Sequence, residues 1–267
     1  MEQLQALGTG YAIATKCYTT CFSLSDGEEH FLIDTGGGNG LLTQLERANI
    51  AVNQIHHVFL SHKHTDHIMG AVWLIRMVGH GLKRGNYKDR LTIYAESQLL
   101  EGLRNMCTFM LPKGLLGYFD QQIIFQPITN GLTYNILGRQ TTFFDTGSQK
   151  DTQYGCRITL LNGKTLTFLG DEPYQKPSTA YAQGVDYLIH EAMCLYSDVN
   201  RYNPYGIHHS TVKEACENAI QLGAKALIMH HTEDDQLSIR KQRYTDEAKT
   251  FFSGQVYCPD DLDRIIL

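Results

Sequence analysis

The segment Ser61-His62-Lys63-His64-Thr65-Asp66-His67 holds three imidazoles and a carboxylate, directly after the apolar run Val58-Phe59-Leu60. Imidazole nitrogens and carboxylate oxygens are ligands for zinc-like divalent cations, and nothing else favours an H-x-H-x-D-H spacing. In an extended segment residues two apart share a face, so His62 and His64 can bind one ion together. Ile68, Val72, Ile75 and Val78 then recur at helical spacing, and the turn into that helix swings Asp66 and His67 toward a second ion. One strand end can therefore seed a two-metal centre.

A second chemical pair lies far downstream. Thr211 and Glu214 form a capping box for a helix with apolar positions Val212, Ala215, Ala219 and Leu222, ended by Gly223. His209 therefore sits just ahead of a helix N-terminus, where free N–H groups and the helix dipole favour an anion such as a phosphate. His56, His57, His190 and His208 read as structural. Asp34-Thr35-Gly36-Gly37-Gly38 lacks the Lys and Ser/Thr of a phosphate-binding P-loop and reads as a tight turn.

These groups need a scaffold. Leu4–Leu7, Thr19–Leu24 and His30–Ile33 alternate with Gly and Asp turns as a β-meander, a helix covers Leu41 to Ala48, and the strand Ile55–Leu60 delivers the motif. The spacing predicts helices over 68–79 and 97–110, with a strand at Leu91–Tyr94 and a polar loop over 81–90 between them. Met106 and Met110 are read as core filler. Strands follow at 122–127, 133–137, 141–144, 157–161 and 164–169, the last two joined by Asn162-Gly163, a strong hairpin signature. Beyond Tyr174 helices alternate with the strands 185–189 and 226–229. Two β-rich stretches, each flanked by helices, predict an α/β fold, an αββα sandwich of two mixed β-sheets with the site where strand ends converge. With 267 residues and no linker, a single domain spanning 1–267 is expected.

A net charge of −5 offers no basic footprint for long nucleic acid. Seven scattered cysteines, odd in number and with no export segment ahead of them, point to a reduced, cytoplasmic protein. No window approaches the ~18 apolar residues of a membrane span.

The H-x-H-x-D-H motif, Asp34 after an apolar strand, Gly170-Asp171 after Leu166–Leu169, and His231 after Leu227-Ile228-Met229 together resemble the metallo-β-lactamase-fold hydrolases. Leu188-Ile189-His190-Glu191-Ala192 and His209-Ser210-Thr211-Val212-Lys213-Glu214-Ala215 are similar to the ribonuclease Z branch and its phosphodiesterase relatives. The resemblance implies His62 and His64 on the first metal, Asp66 and His67 on the second, Asp171 bridging both, and His231, preferred over His230, completing the second site. It also implies that Glu191 orients His209, which stabilises the anionic transition state or protonates the leaving oxygen, while Asp66 orients or deprotonates a water.

The family usually supplies a third histidine to the first metal. No histidine occurs between His80 and His190, and Gly147 stands nearest the expected position, with Asp145, Asp151 or water left to fill the gap. An asymmetric centre follows, one ion firm and one labile. Only 13 residues separate Arg157 from Asp171, too few for the tRNA-gripping arm of ribonuclease Z enzymes. The resulting expectation is a zinc-dependent hydrolase, with one or two ions per chain and manganese or iron as alternatives. Its substrate would be a phosphodiester of a small molecule or short nucleotide, acted on by a protein that pairs as a homodimer as relatives commonly do. A lactone or thioester hydrolase on the same centre, and a sensor with a weakened metal site, are the competing expectations.

Overall fold

In the computed structural model, which describes residues 1–267, the two β-rich stretches become two seven-stranded sheets. The chain falls into two compact units. Residues Met1–Gly8, Tyr18–Thr129 and Leu262–Leu267 form the first, and Thr9–Cys17 with Asn130–Asp261 form the second.

The first unit contains strands β1 (Gln3–Gly8), β2 (Cys21–Ser25), β3 (His30–Ile33), β4 (Ile55–Phe59), β5 (Leu91–Ala95) and β6 (Ile123–Pro127), with the last strand of the chain, β14 (Arg264–Ile266). They lie in the order β14-β1-β2-β3-β4-β5-β6. Pairing is antiparallel from β14 through β3 and parallel from β3 through β6. Helices α1 (Gly40–Ala48), α2 (Thr65–Arg84), α3 (Ser97–Met110) and the short α4 (Lys113–Leu116) carry the crossovers that parallel strands demand. Leu41, Ile68, Ala71, Ile75 and Val78 from the helices join Leu32, Val58, Leu60 and Ile93 from the strands in one buried core. Met106 packs against this core, whereas Met110 is 44% exposed at the end of α3.

Helix α2 is longer at both ends than apolar spacing predicts. It starts at Thr65 and runs through Lys83 and Arg84 to a left-handed Gly85, whose N–H bonds the carbonyls of Gly81 and Leu82. Polar residues at 83 and 84 break the apolar stripe but suit the negative end of the helix dipole, so residues 81–84 of the expected 81–90 loop are helical. Gly70 has a different task. A Cβ there would lie 2.0 Å from the Thr35 carbonyl oxygen, so only glycine lets the first turns of α2 press against the loop after β3, where Gly70 N–H bonds Gly36 O at 2.9 Å.

The second unit repeats the plan. Strands β7 (Thr133–Ile136), β8 (Arg139–Asp145), β9 (Tyr154–Thr159), β10 (Thr165–Phe168), β11 (Tyr187–Glu191), β12 (Ala226–His230) and β13 (Gln255–Tyr257) lie in sequence order. Pairing is antiparallel from β7 to β10 and parallel from β10 to β13. Helices α5 (Thr179–Ala182), α6 (Val199–Tyr202), α7 (Val212–Leu222) and α8 (Leu237–Phe251) accompany it. Val212, Ala215, Ala219 and Leu222 of α7 are buried with Leu188, Leu227 and Met229. The Thr211–Glu214 capping box forms, with Thr211 N–H donating to Glu214 Oε2 at 2.9 Å. No helix is long and apolar enough to cross a membrane.

Two histidines of the first unit tie its stability to pH. His30 shares a 2.7 Å hydrogen bond with Ser23, and burial pushes its imidazole down to about 4; burial does the same to His57. Because the folded pKa lies below the unfolded value of ~6.5, this stabilisation is complete above pH ~6.5 and is lost as pH falls toward 4. For His30 the loss is on the order of 2–3 kcal/mol. Urea melts of His30→Gln should therefore show a shallower decline in unfolding free energy between pH 6.5 and 4.5 than the unaltered chain. Parallel declines would contradict this assignment.

Candidate functional site

Side chains with chemistry collect beyond the carboxyl ends of parallel strands, where the backbone leaves the sheet and crossovers begin. In the first unit Asp34 directly follows β3, and Ser61-His62 lie just past the end of β4. Asp34 is fully buried, in a left-handed conformation at φ 56°. Its Oδ1 accepts from Ser61 N–H at 2.8 Å, and its Oδ2 accepts from Ser61 Oγ and His67 Nδ1, each at 2.7 Å. The Nδ1–H of His67 is thereby committed, and in the neutral ring the Nε2 lone pair faces Asp66 Oδ2 at 3.1 Å. A cation held between them, or a second proton on the ring, reconciles the pair.

His64 is the extended residue before α2, and Asp66 and His67 lie in its first turn. His62 and His64 converge as the sequence predicts: His62 Nε2 stands 2.9 Å from His64 Nδ1, with the rings edge to face. His62 Nδ1 meets Ser61 Oγ at 3.0 Å. His62 and His67, each oriented by a second partner, together with His64 and a carboxylate at a helix start, are a donor set that fits zinc, manganese or iron. His56 and His57 are turned to other tasks, bonding Tyr87 and Tyr94 hydroxyls at 3.2 Å.

In the second unit Asp171 lies three residues past β10, Glu191 is the last residue of β11 and His231 follows β12 directly. Asp171 accepts a short hydrogen bond from Gln153 Nε2, and its Oδ2 lies 3.5 Å from His231 Nε2. His231 and His230 are told apart by their partners. His230 Nε2 donates to Gly170 O at 3.0 Å and so braces the turn that presents Asp171, whereas His231, at φ 55°, leaves the strand direction. The backbone after His231 is anchored by Thr232, paired with Thr9 and Tyr11, and by the buried Arg240, which donates to Thr232 Oγ1 at 2.7 Å and Thr9 Oγ1 at 3.0 Å.

His209 stacks on His231 with ring centroids 4.9 Å apart, and its Nδ1 faces Glu191 Oε2 at 3.6 Å. Glu191 is fully buried and is itself held by the N–H groups of Ser210 and Met193. Burial alone would lower the His209 pKa, but the Glu191 carboxylate, with Asp171 behind it, outweighs both burial and nearby Lys150, and the ring is raised above the ordinary histidine value. One ligand atom each from Glu191, His209 and His231 lies within 4.8 Å of the others. His190 is structural, bonded to Glu191 O and Asn218 and kept neutral by burial.

Position 147 cannot take the missing histidine as the backbone stands. Gly147 has φ 75°, and a Cβ there would lie 2.7 Å from Pro177 Cγ. Asp145 is engaged in capping Gly147 N–H at 2.8 Å. Three contributors had no motif to betray them: Gln153 on Asp171, Arg240 behind Thr232, and Lys150, whose Nζ lies 3.3 Å from His209 Nε2.

Comparison with known proteins places this arrangement in a class. The chain has the metallo-β-lactamase fold: a protein of that fold, YhfI from Bacillus subtilis, superimposes with TM-score 0.79 over 99% of this chain and 98% of its own, at 21% identity. Zn(2+)-bound PqqB from Methylobacterium extorquens superimposes with TM-score 0.72, covering 99% of this chain and 100% of its own at 15% identity. Ribonuclease Z from Nostoc punctiforme is 24% identical over 86% of this chain and 84% of its own length. The family described as anti-Pycsar protein Apyc1 matches residues 2–256, and the chain belongs to that family. The expected class of two mixed sheets flanked by helices is the one observed.

Asp34 supports the metal motif without being a proposed ligand, and its loss should be felt twice. Asp34→Ala leaves Ser61 and His67 donors buried without their acceptor, a cost of about 3 kcal/mol in urea melts, and should weaken zinc binding by about 10- to 100-fold in chelator competition. Unchanged zinc affinity in a destabilised variant would mean that Asp34 serves the fold alone.

Proposed function

We propose that this chain is a metal-dependent hydrolase that cleaves a phosphodiester of a small molecule or short nucleic acid. One observation carries the reading: the buried Glu191 carboxylate stands behind His209, which stacks on His231 beside Asp171. A protein that merely binds has no need of a buried carboxylate that charges and orients a histidine next to candidate metal ligands.

The ligand set is the one the family resemblance implies, His62, His64, Asp66 and His67 with Asp171 and His231, and one or two zinc ions suit it. Manganese and iron accept the same donors. Zinc in PqqB, a protein of this fold, supports the choice of metal. When bound, such ions lower the pKa of water to roughly 7 and offset charge developing on a phosphoryl group. Asp66 orients the attacking water and takes its proton. Asp171, held by Gln153 through one oxygen and facing His231 with the other, would join His231 in holding the metal. His209 donates to the departing oxygen, and Glu191 steadies the charged ring. A ribonuclease Z among the relatives favours phosphodiesters over lactones and thioesters. The free cysteines suit a reducing cytoplasm, and a homodimer suits the resemblance.

A sensor with a weakened first site is the second reading, and the closure of position 147 by Pro177 favours it. Turnover separates the two. With zinc or manganese added, the protein should hydrolyse bis(4-nitrophenyl) phosphate, and His209→Gln should lower kcat by about 10²- to 10⁴-fold while retaining its metal. No rate above the metal-only blank would remove the hydrolase reading.

A further inference from the structure

Lys150 stands beside His209 and takes no part in the hydrolysis proposed above. It lies half-buried in the loop between β8 and β9, and that loop is fastened in place. Ser148 Oγ donates to Glu172 Oε1 at 2.6 Å, Gln149 N–H donates to Glu172 Oε2 at 3.2 Å, and the N–H groups of Lys150 and Asp151 each donate to Ser148 Oγ at 3.3 Å. Glu172 is only 5% exposed and follows Asp171 directly, so the loop is tied to the residue beside a candidate ligand.

From this anchored base the Lys150 side chain reaches Nε2 of His209, on the ring edge opposite Glu191. No carboxylate lies within ion-pair distance of its ammonium. An ammonium carries three donors. A neutral His209 accepts one of them at Nε2 and a charged ring accepts none, so at least two remain. A half-buried cation with spare donors and no counter-charge, beside a nearly buried histidine, is completed by an anion.

We propose that Lys150 is an anion-binding residue of this site and receives a non-bridging phosphoryl oxygen of the substrate. The proposal rests on the phosphodiesterase reading and adds to it the group that meets the substrate's negative charge. It also gives the departure at position 147 a physical sense. Gly147 cannot host the third histidine, and three residues further along the same loop places a cation.

Inorganic phosphate is the probe. Its affinity for zinc-loaded protein, measured by calorimetry, should fall at least ten-fold in Lys150→Gln and be largely kept in Lys150→Arg, with metal content and Tm unaltered. Turnover should follow, KM for bis(4-nitrophenyl) phosphate rising in Lys150→Gln more than kcat falls. The salt dependence of phosphate binding should be shallower in Lys150→Gln, because one cation fewer is screened. Equal phosphate binding by Lys150→Gln and the unaltered chain would overturn the role of Lys150 and leave the hydrolase reading standing. Equal losses in the Arg and Gln variants would overturn it too, since loop shape and not charge would then be at stake. No phosphate binding and no turnover in the unaltered, metal-loaded protein would overturn both.

Discussion

A single buried carboxylate holds the metal motif in shape. Asp34 accepts three hydrogen bonds, two from Ser61 and one from His67, and in doing so joins the end of β3, the end of β4 and the first turn of α2. A fully buried carboxylate without those donors would be costly, and the donors without the carboxylate equally so. The arrangement leaves His67 one tautomer and one ring orientation. Gly70, by letting α2 come within touch of Thr35, makes the geometry sterically attainable.

The two units solve the same problem with the same plan. In each, an antiparallel meander supplies one side of the sheet and parallel strands supply the ends from which reactive side chains emerge. Parallel strands need crossovers, and the turn into a crossover releases backbone from the ladder so that side chains can be aimed. The first unit uses this for Asp34 and the histidine motif, and the second for Asp171, Glu191 and His231. Supporting residues differ in kind. The first unit orients its histidines with a carboxylate and a serine, whereas the second braces its strand ends with His230 on Gly170, Gln153 on Asp171 and Arg240 on Thr232.

Much of this was legible in the sequence because local chemistry and local structure agree there. The histidine motif follows an apolar strand and opens an apolar helix, Gly170-Asp171 comes just after a strand, and Thr211 and Glu214 announce the helix that follows His209. The missing third histidine was visible as an absence; what closes its position, a left-handed Gly147 against Pro177, is a matter of packing that no spacing encodes. Lys150, Gln153 and Arg240 act on residues 59, 18 and 8 positions away, so their roles exist only once the chain has folded. The edge strands β13 and β14 escaped notice because three residues each are too few to show alternation. The end of α2 was missed because its last turn is selected by dipole and cap, not by apolar spacing.

Metal content per chain decides whether these residues hold metal. Protein purified without chelator or added salts, assayed by mass spectrometry of the elements, should carry between one and two equivalents of zinc, manganese or iron. His67→Ala and His231→Ala should each carry less. A chain that arrives without metal and takes up none on incubation with any of the three ions would contradict the account, and catalysis would have to be abandoned for binding.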